Sequence, residues 1–501
     1  MSNVTVSTVD GSTYIVAYSV LAISVSLIVV ALAMITRSTG ARSIPGRIEL
    51  SQPVIVLAAI GGAWAIFATY RGFAFYHDDF HYLIRATLEP WRGFDGQFRV
   101  VGVRAPFWLA VQSGHPELVL MALNILAVLG GGWAFATMLQ AAGWTSSEAV
   151  FAALLFISSR PIVDLAVWGA GFQQILAWGL VFAILHAGIR GASESNQRAR
   201  LGWTLLAIGL GGIAALTKWK FAWIAGPAAW LWITLNAGSR RDSGARWSVF
   251  AGVTALMFLA IVANSGGVHE ASTARILLNA RDAIESMFGP TLAVAVILVV
   301  GYQLQPSDHT FVSFVRERVA PRLAVVRNAL IMLPVFVAPF LFNGLYFASY
   351  YVGPATAWLA AAAAPVILAV SPKASRGWVT AGILMFFWLP TTPLLDATRS
   401  RTIGHDLAVW LEDVRVALVD HPPADAVAIE ASCSSEAATR RSDARLRRYF
   451  ELSEMGEGIR WTTGWIATSV AVGSPTREGS TIQLAYCAET HPRIRVRPDQ
   501  G

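Results

Sequence analysis

The chain has 501 residues, of which 55% are hydrophobic and 14% are charged, and its mean hydropathy is +0.53. This composition excludes an ordinary soluble globular protein, because such proteins are less apolar and carry more charged residues. The net charge of +7 comes almost entirely from arginine, and no helix-turn-helix, zinc-finger or RNA-binding pattern accompanies it, so we exclude nucleic acid as a partner.

Apolar runs recur along residues 1–395 and predict an all-α polytopic membrane domain with about twelve transmembrane helices. Lipid offers no partner to a free backbone N–H or C=O, so only helices and closed barrels span it, and a barrel would show short alternating segments. No basic stretch precedes the first run, which we therefore interpret as a retained span rather than a signal peptide. The predicted spans are 14–36, 52–70, 117–142, 147–159, 173–189, 202–216, 221–236, 248–264, 290–305, 328–345, 354–371 and 377–390.

Basic residues cluster in alternate loops between these spans, and this pattern predicts the orientation of the chain. Loops rich in arginine and lysine face the cytoplasm, so both termini and the loop 71–116 are expected on the extracytoplasmic side. The basic residues of the predicted cytoplasmic loops are Arg37, Arg42, Arg47, Arg190, Arg198, Arg200, Arg240, Arg241, Arg246, Arg316, Arg318, Arg322, Arg327, Lys373 and Arg376.

A pair of carboxylates follows the second predicted span, in the sequence Tyr76-His77-Asp78-Asp79-Phe80-His81-Tyr82. Adjacent acids at the exit of a membrane span are costly and seldom serve packing, so they indicate catalysis at the membrane surface. On a helix the two side chains would point about 100° apart, which would let one meet a substrate while the other binds a neighbouring group. The alternative is a capped, solvated helix start.

Two of the three lysines of the chain, Lys218 and Lys220, flank one tryptophan at a predicted extracytoplasmic span end. The preference for positive charge on the cytoplasmic side does not explain them there. They either extend to lipid headgroups, as long basic side chains do, or form a cation site for a phosphate.

The composition changes after residue 395, and residues 396–501 predict a small extracytoplasmic α/β domain. Segments 424–431, 465–472 and 480–487 are typical of strands because of their β-branched content, and 403–419 and 436–453 are typical of helices. Both cysteines of the chain, Cys433 and Cys487, fall in this part. They form either one disulfide, which an extracytoplasmic location favours, or two buried thiols.

Five short motifs follow one another over residues 52–371. They are Asp78-Asp79-Phe80-His81-Tyr82; Phe98-Arg99 with Gly114-His115-Pro116 and Asn124; Leu154-Leu155-Phe156 with Asp164, Trp168, Gly171 and Gln174; Lys218 or Lys220 ahead of Pro227; and Tyr350-Tyr351 before Pro354. In this order they resemble the motifs of the GT-C glycosyltransferase superfamily, nearest to its protein O-mannosyltransferase-like and tetratricopeptide-containing mannosyltransferase branch. The sequence departs from that pattern at Asp79, where glutamate is usual, at Gln174, where an acid is usual, and at Ser349, where arginine is usual.

The resemblance implies an inverting transfer of a sugar from a polyprenyl-phosphate donor to a glycan, lipid or protein acceptor of the cell envelope. Asp78 would be the general base, a role worth about 10²–10⁴ in rate, and Asp79 would orient it or share its proton. The implied contacts to the donor phosphate are Lys218, Lys220, Arg99, Tyr350 and Tyr351. The implied substrate contacts are His81, Tyr82, Asp164 and Gln174.

Each of these residues also has a structural interpretation. Asp164 lies four residues after Arg160 and fits a simple ion pair with it, and Arg99 fits a surface pair with Asp95. The histidine and the tyrosines of the motifs also fit packing at the membrane interface, and Gln174 also fits the end of a helix.

We expect no cofactor and no metal, with a divalent ion on Asp78, Asp79 and His81 as the alternative. The rival functions are a transporter or flippase of lipid-linked sugars, a glycan polymerase or ligase, and an assembly subunit. The interiors of the predicted spans hold almost no ionisable side chain except His186, which favours an enzyme over a transporter. The expected location is a bacterial plasma membrane, in contact with its lipids.

Overall fold

The computed structural model describes most of the membrane domain and parts of the tail. Predicted span 52–70, predicted tail helix 403–419 and all but the first residue of predicted tail helix 436–453 lie outside the described residues. The described residues are 11–39, 82, 99–113, 115–222, 224–236, 243–262, 272–304, 310–341, 353–371, 374–387, 426–431, 435–436, 459–461, 464–468, 481–486 and 495–496.

Helices form the described part of the first 395 residues. A π-helical turn, Val100–Arg104, leads directly into the second helix, and a 3₁₀ turn, Ala320–Arg322, leads into the twelfth. The helices are α1 Gly11–Thr39, α2 Ala105–Gln112, α3 Pro116–Ala141, α4 Ser146–Ile157, α5 Arg160–Ala166, α6 Phe172–Ser193, α7 Gln197–Ala222, α8 Ala225–Asn236, α9 Ser243–Val262, α10 Thr273–Gln303, α11 Phe311–Arg318, α12 Leu323–Leu341, α13 Gly353–Val370 and α14 Ala374–Phe387.

Seven stretches in the described part are long and apolar enough to cross a membrane, which makes the chain a helical, polytopic membrane protein. An eighth arises if α4 and α5, which meet at a bend of 57°, form one broken span. The predicted spans 221–236, 248–264 and 377–390 correspond to α8, α9 and α14, which are not among the seven. The seven are Ser19–Thr36, Leu118–Ala141, Phe172–Ser193, Gln197–Lys218, Thr273–Gln303, Phe311–Ala338 and Gly353–Val370.

Helix α10 is longer than the sequence predicted. It begins at Thr273, with the Ser272 hydroxyl accepting a hydrogen bond from the backbone N–H of Arg275, and not at residue 290. Its 31 residues correspond to about 46 Å, so it exceeds a hydrocarbon core of about 30 Å. The charged pair Arg281–Glu285, one turn apart at 2.7 Å, lies on the surface of the helix and does not interrupt it.

Helix α7 carries a groove of small residues into which α1 packs. At Gly209 an added Cβ would lie 2.8 Å from Ile28 Cγ1 and 2.9 Å from the Ser24 carbonyl oxygen. At Gly202 an added Cβ would lie 3.0 Å from Ile35 Cγ1 and 3.1 Å from the Ala31 carbonyl oxygen, and at Gly212 it would overlap the Ser24 hydroxyl. Without a hydrophobic driving force between helices in lipid, such close backbone approach supplies the dispersion energy that holds helix pairs together.

Two sets of polar contacts mark opposite ends of the helix bundle. One set surrounds Glu148, whose carboxylate accepts hydrogen bonds from the Thr145 backbone N–H at 2.8 Å and pairs with Arg322 Nε at 2.8 Å. In the same set, Asn328 donates to Asn236 Oδ1 at 3.1 Å. The other set surrounds Arg99. We call these the Glu148 end and the Arg99 end, because α6 and α13 begin at the Arg99 end whereas α4, α7 and α12 begin at the Glu148 end.

Five strands of the tail form one sheet with the order β2-β3-β1-β4-β5. The central strand β1 runs parallel to both β3 and β4, and β2 and β5 are antiparallel edges. Three of the strands overlap the predicted segments 424–431, 465–472 and 480–487. The strands are β1 Ala426–Ala431, β2 Ile459–Trp461, β3 Gly464–Thr468, β4 Thr481–Tyr486 and β5 Arg495–Val496.

Replacing Gly209 by alanine should lower the free energy of unfolding by about 1–3 kcal/mol, because the methyl group overlaps the backbone of α1. The matched control is Gly130→Ala, where nothing lies within 4 Å of the added Cβ and the higher helix propensity of alanine is retained. Thermal unfolding of both variants in detergent measures the difference. Equal midpoints would show that α1 does not depend on this groove.

Candidate functional site

A buried arginine, Arg99, joins two separate segments of the chain at the Arg99 end. Arg99 is 9% exposed, and its Nη1 donates to Tyr82 Oη at 3.1 Å and to Gln173 Oε1 at 3.1 Å. A guanidinium stays protonated under all ordinary conditions, so its charge must be solvated by protein groups once it is buried. Both observed acceptors are neutral, and no acceptor among the described residues reaches Arg99 Nε. The proposed alternative partner Asp95 lies outside the described residues.

A π-helical turn positions this arginine. The Arg99 carbonyl oxygen accepts hydrogen bonds from the backbone N–H of Val103 at 2.8 Å and of Arg104 at 3.1 Å, which closes the turn. Within it, Gly102 lies directly against the backbone of Thr217, and a methyl group at Gly102 would overlap the Thr217 carbonyl oxygen. Only glycine permits this approach, so Gly102 determines how closely the Arg99 turn and α7 meet.

Helix α7 is interrupted at the same place, at Lys218. This residue has φ −158° and ψ 95°, an extended conformation inside an otherwise helical segment, and its side chain is 7% exposed. It directly follows Thr217, the residue against which Gly102 packs. The structure therefore brings Lys218, predicted as a phosphate ligand, next to the turn that carries Arg99 and the buried Arg104.

The loop between α5 and α6 is held by a side chain and by a close backbone contact. Asn124 Nδ2 donates to the Trp168 carbonyl oxygen at 2.9 Å, and at Gly171 a Cβ would overlap the Leu165 carbonyl oxygen. Gly171 is the N-cap residue of α6. These contacts determine where the first turn of α6, with Gln173, is placed relative to Arg99.

Gln174, a predicted substrate contact, is completely buried in this first turn. Neither its Oε1 nor its Nε2 has a hydrogen-bond partner within the part of the chain that the structure describes. A buried amide without partners loses the hydrogen bonds it made to water, which costs about 1–3 kcal/mol for each unsatisfied group. Gln174 is therefore buried at an energetic cost that no hydrogen bond among the described residues offsets.

Asp164, another predicted substrate contact, pairs with Arg160 one turn earlier on α5. The distance from Arg160 Nε to Asp164 Oδ2 is 3.6 Å, and both side chains are partly exposed. This is the structural interpretation that the sequence offered for Asp164. The helix itself belongs to the Arg99 end, because Ser159 before it and Thr356 on α13 have hydroxyl oxygens 3.3 Å apart.

The start of α13 reaches the same end through a glycine. A Cβ at Gly353 would overlap the indole ring of Trp178, which lies one turn after Gln174 on α6. Described members of four sequence motifs, and the glycine before Pro354 of the fifth, therefore lie at one end of the bundle, although they are far apart in the chain. They are Tyr82; Arg99 and Asn124; Trp168, Gly171 and Gln174; Lys218; and Gly353 beside Pro354.

Five of the predicted site residues and the side chain of a sixth, Lys220, lie outside the described residues. The five are Asp78, Asp79, His81, Tyr350 and Tyr351. Among the described residues no group of three or more His, Cys, Asp or Glu side chains could hold a metal ion.

Sequence reasoning missed Gln173. Its side chain is completely buried and is a direct partner of Arg99. Two consecutive amides at the start of an apolar span are costly in lipid, and this pattern could have identified both glutamines.

Comparison of the chain with protein-family models, with curated proteins and with solved structures finds no match.

Replacing Gln173 by leucine should destabilise the fold by about 1–3 kcal/mol, because a buried, charged donor on Arg99 loses its acceptor. Gln140→Leu, an exposed position at the Glu148 end, serves as the control and should change the unfolding midpoint little. Thermal unfolding in detergent compares the two variants. If both behave like the unsubstituted protein, the hydrogen bond between Arg99 and Gln173 does not contribute to stability.

Proposed function

We propose that this protein is an inverting glycosyltransferase that moves a sugar from a polyprenyl-phosphate donor to a glycan, lipid or protein acceptor of the cell envelope. The observation that carries the proposal is the buried guanidinium of Arg99, held by Tyr82 and Gln173 beside the break in α7 at Lys218. Buried basic residues at a membrane span end are expensive, and a ligand of opposite charge explains their presence best.

Arg99 and Lys218 are the proposed ligands of the donor phosphate. Arg99 Nη1 is occupied by Tyr82 and Gln173, whereas Nε is unpaired among the described residues, so one edge of the planar guanidinium remains for an anion. An arginine edge suits the two-point binding of a phosphate, and lysine adds a compact charge. Together they stabilise the negative charge that the phosphate keeps when it leaves. Lys220, Tyr350 and Tyr351 are proposed as further donor contacts.

Asp78 is the proposed general base, assisted by Asp79. Tyr82 follows Asp78 by four residues, and four residues span at most about 14 Å, so the Tyr82–Arg99 hydrogen bond tethers the acidic motif to the cation site. In the reaction the acceptor oxygen attacks the anomeric carbon and its proton passes to Asp78. The bond between that carbon and the phosphate oxygen breaks on the opposite face, which inverts the configuration and releases polyprenyl phosphate.

Tyr82, predicted as a substrate contact, is proposed to position Arg99, because its hydroxyl already binds that side chain. His81 and Asp164 remain proposed acceptor contacts. Since Asp164 is paired with Arg160, an acceptor would have to compete with that ion pair or bind beside it.

The finer topology belongs to the same proposal: about twelve spans, a GT-C-like membrane domain, and an α/β tail domain on the extracytoplasmic side of a bacterial plasma membrane. Its support is that predicted cytoplasmic arginines gather at the Glu148 end. Arg322 pairs with Glu148, and Arg327 binds Asn328 beside Asn236. The Arg99 end would then face outward, where polyprenyl-phosphate sugars are used.

A flippase of lipid-linked sugars is the second candidate, favoured by one observation. Helix α7 is broken at a charged residue, Lys218, and transporters often place such interrupted helices at their binding sites. A flippase would need the cations but not a general base, so substitution of Asp78 separates the two functions.

Purified wild-type protein in nanodiscs should transfer sugar from polyprenyl-phosphate sugars to an envelope extract. Asp78→Asn should lower the rate by roughly 10²-fold or more, because the amide cannot take the proton of the acceptor. Glu317→Gln, an exposed carboxylate on α11, is the control and should leave the rate unchanged. Transfer at wild-type rate by the Asp78 variant contradicts this base, and flipping without any transfer supports the second candidate.

The proposed orientation can be tested by labelling cysteines in intact cells. In a background with Cys433→Ser and Cys487→Ser, we compare His115→Cys at the Arg99 end with Glu317→Cys, both at exposed positions. A membrane-impermeant maleimide should label the first in intact cells and the second only after permeabilisation. The reverse pattern would place the Arg99 end in the cytoplasm and contradict an extracytoplasmic site.

A further inference from the structure

Two consecutive glutamines, Gln173 and Gln174, lie in the first turn of the apolar helix α6, and neither is exposed. Gln173 Oε1 accepts a hydrogen bond from Arg99, but its Nε2 has no partner among the described residues. Both polar atoms of Gln174 are without partners in the same part of the chain. Three amide positions with unused hydrogen-bonding capacity therefore lie within one helical turn, beside a buried cation.

The two side chains point to different sides of α6, because adjacent residues on a helix are about 100° apart. Gln173 faces the turn that carries Arg99. Gln174 shares a helix face with Trp178, four residues later, and Trp178 packs against Gly353 at the start of α13. The pair thus lies between the Arg99 turn on one side and the first turn of α13 on the other.

The chemistry of an amide selects the ligand. An amide donates hydrogen bonds through its nitrogen and accepts them through its oxygen, and a hydroxyl group does both through its oxygen. An anion would be bound better by another basic residue, and a cation by a carboxylate, so two neutral amides suit a neutral group with several hydroxyls. A site built to hydrogen-bond such groups rejects analogues that lack them.

We infer that Gln173 and Gln174 form a hydroxyl-binding site for the sugar ring of the donor, next to the cations that take its phosphate, and that Gln174 selects neutral sugars. The inference rests on the proposed function and adds to it a division of the site into a charged part and a neutral part. Gln174 contacts the sugar, whereas Gln173 also positions Arg99.

The test is a binding titration by calorimetry with soluble short-chain analogues, in a detergent without a sugar headgroup. The probes are farnesyl phosphate and farnesyl phosphate bearing mannose or glucose. Wild-type protein should bind at least one sugar-bearing probe more tightly than the bare phosphate. Gln174→Leu should weaken binding of that probe roughly tenfold or more and leave the bare phosphate within about twofold, since only hydrogen bonds to hydroxyls are lost.

Two further variants separate this inference from the proposed function. Arg99→Gln should weaken binding of all probes alike, and Gln140→Leu should change none. If wild-type protein binds the bare and sugar-bearing probes equally and Gln174→Leu changes neither, the hydroxyl site is overturned while the phosphate site stands. If it binds no probe, the proposed function fails and the inference fails with it.

Stability provides an independent measurement. Leucine at position 174 has a similar volume and removes an unpaired buried amide, so the unliganded variant should unfold at the same or a higher temperature. A purely structural glutamine would predict a lower one. If the leucine variant does not fold, Gln174→Glu is titrated in the same way with glucose-bearing and glucosamine-bearing farnesyl phosphate. A gain in affinity for the positively charged glucosamine probe over the glucose probe would support contact of residue 174 with the sugar. No such gain would leave a structural role for Gln174 and overturn the inference.

Discussion

The buried charge of Arg99 is the constraint on which the described site depends. An arginine cannot release its proton, so burial at a span end requires acceptors from the protein or from a ligand. Tyr82 and Gln173 supply two of them from segments far apart in the chain. Because both must reach the same nitrogen, Tyr82, the π-helical turn and the first turn of α6 are held relative to one another.

Close backbone contacts, rather than further charges, complete this end of the bundle. Gly102 meets Thr217, Gly171 meets Leu165, and Gly353 meets Trp178, each at a distance that a side chain would prevent. The opposite end is built differently, with the capping of α4 by Thr145 and the ion pair of Glu148 with Arg322. Thr145, Glu148 and Arg322 satisfy one another there, whereas Arg99 Nε and the amides of Gln173 and Gln174 retain unused capacity among the described residues. The proposed function is assigned to the Arg99 end because a buried guanidinium and two buried amides with unused hydrogen-bonding capacity lie together there.

Sequence patterns predicted the membrane class, most of the described spans and three of the tail strands. They predicted a span at 290–305, whereas the helix α10 that contains most of it begins at Thr273. A helix tolerates charged residues on its exposed face, where Arg281 and Glu285 pair one turn apart. Gln173 was missed because a neutral amide carries neither a charge nor a catalytic group that would mark it in the sequence.

The sequence by itself determined that this is a helical membrane protein, since hydropathy over about twenty residues is a local property that lipid selects directly. It also supplied the candidate groups, from Asp78 to Tyr351. Only the tertiary structure decided which of them meet. The contacts of Arg99 with Tyr82 and Gln173, and of its turn with the break at Lys218, depend on how helices pack across long stretches of chain, where glycine positions set the distances. No local pattern encodes such distances, because they result from the packing of several helices at once.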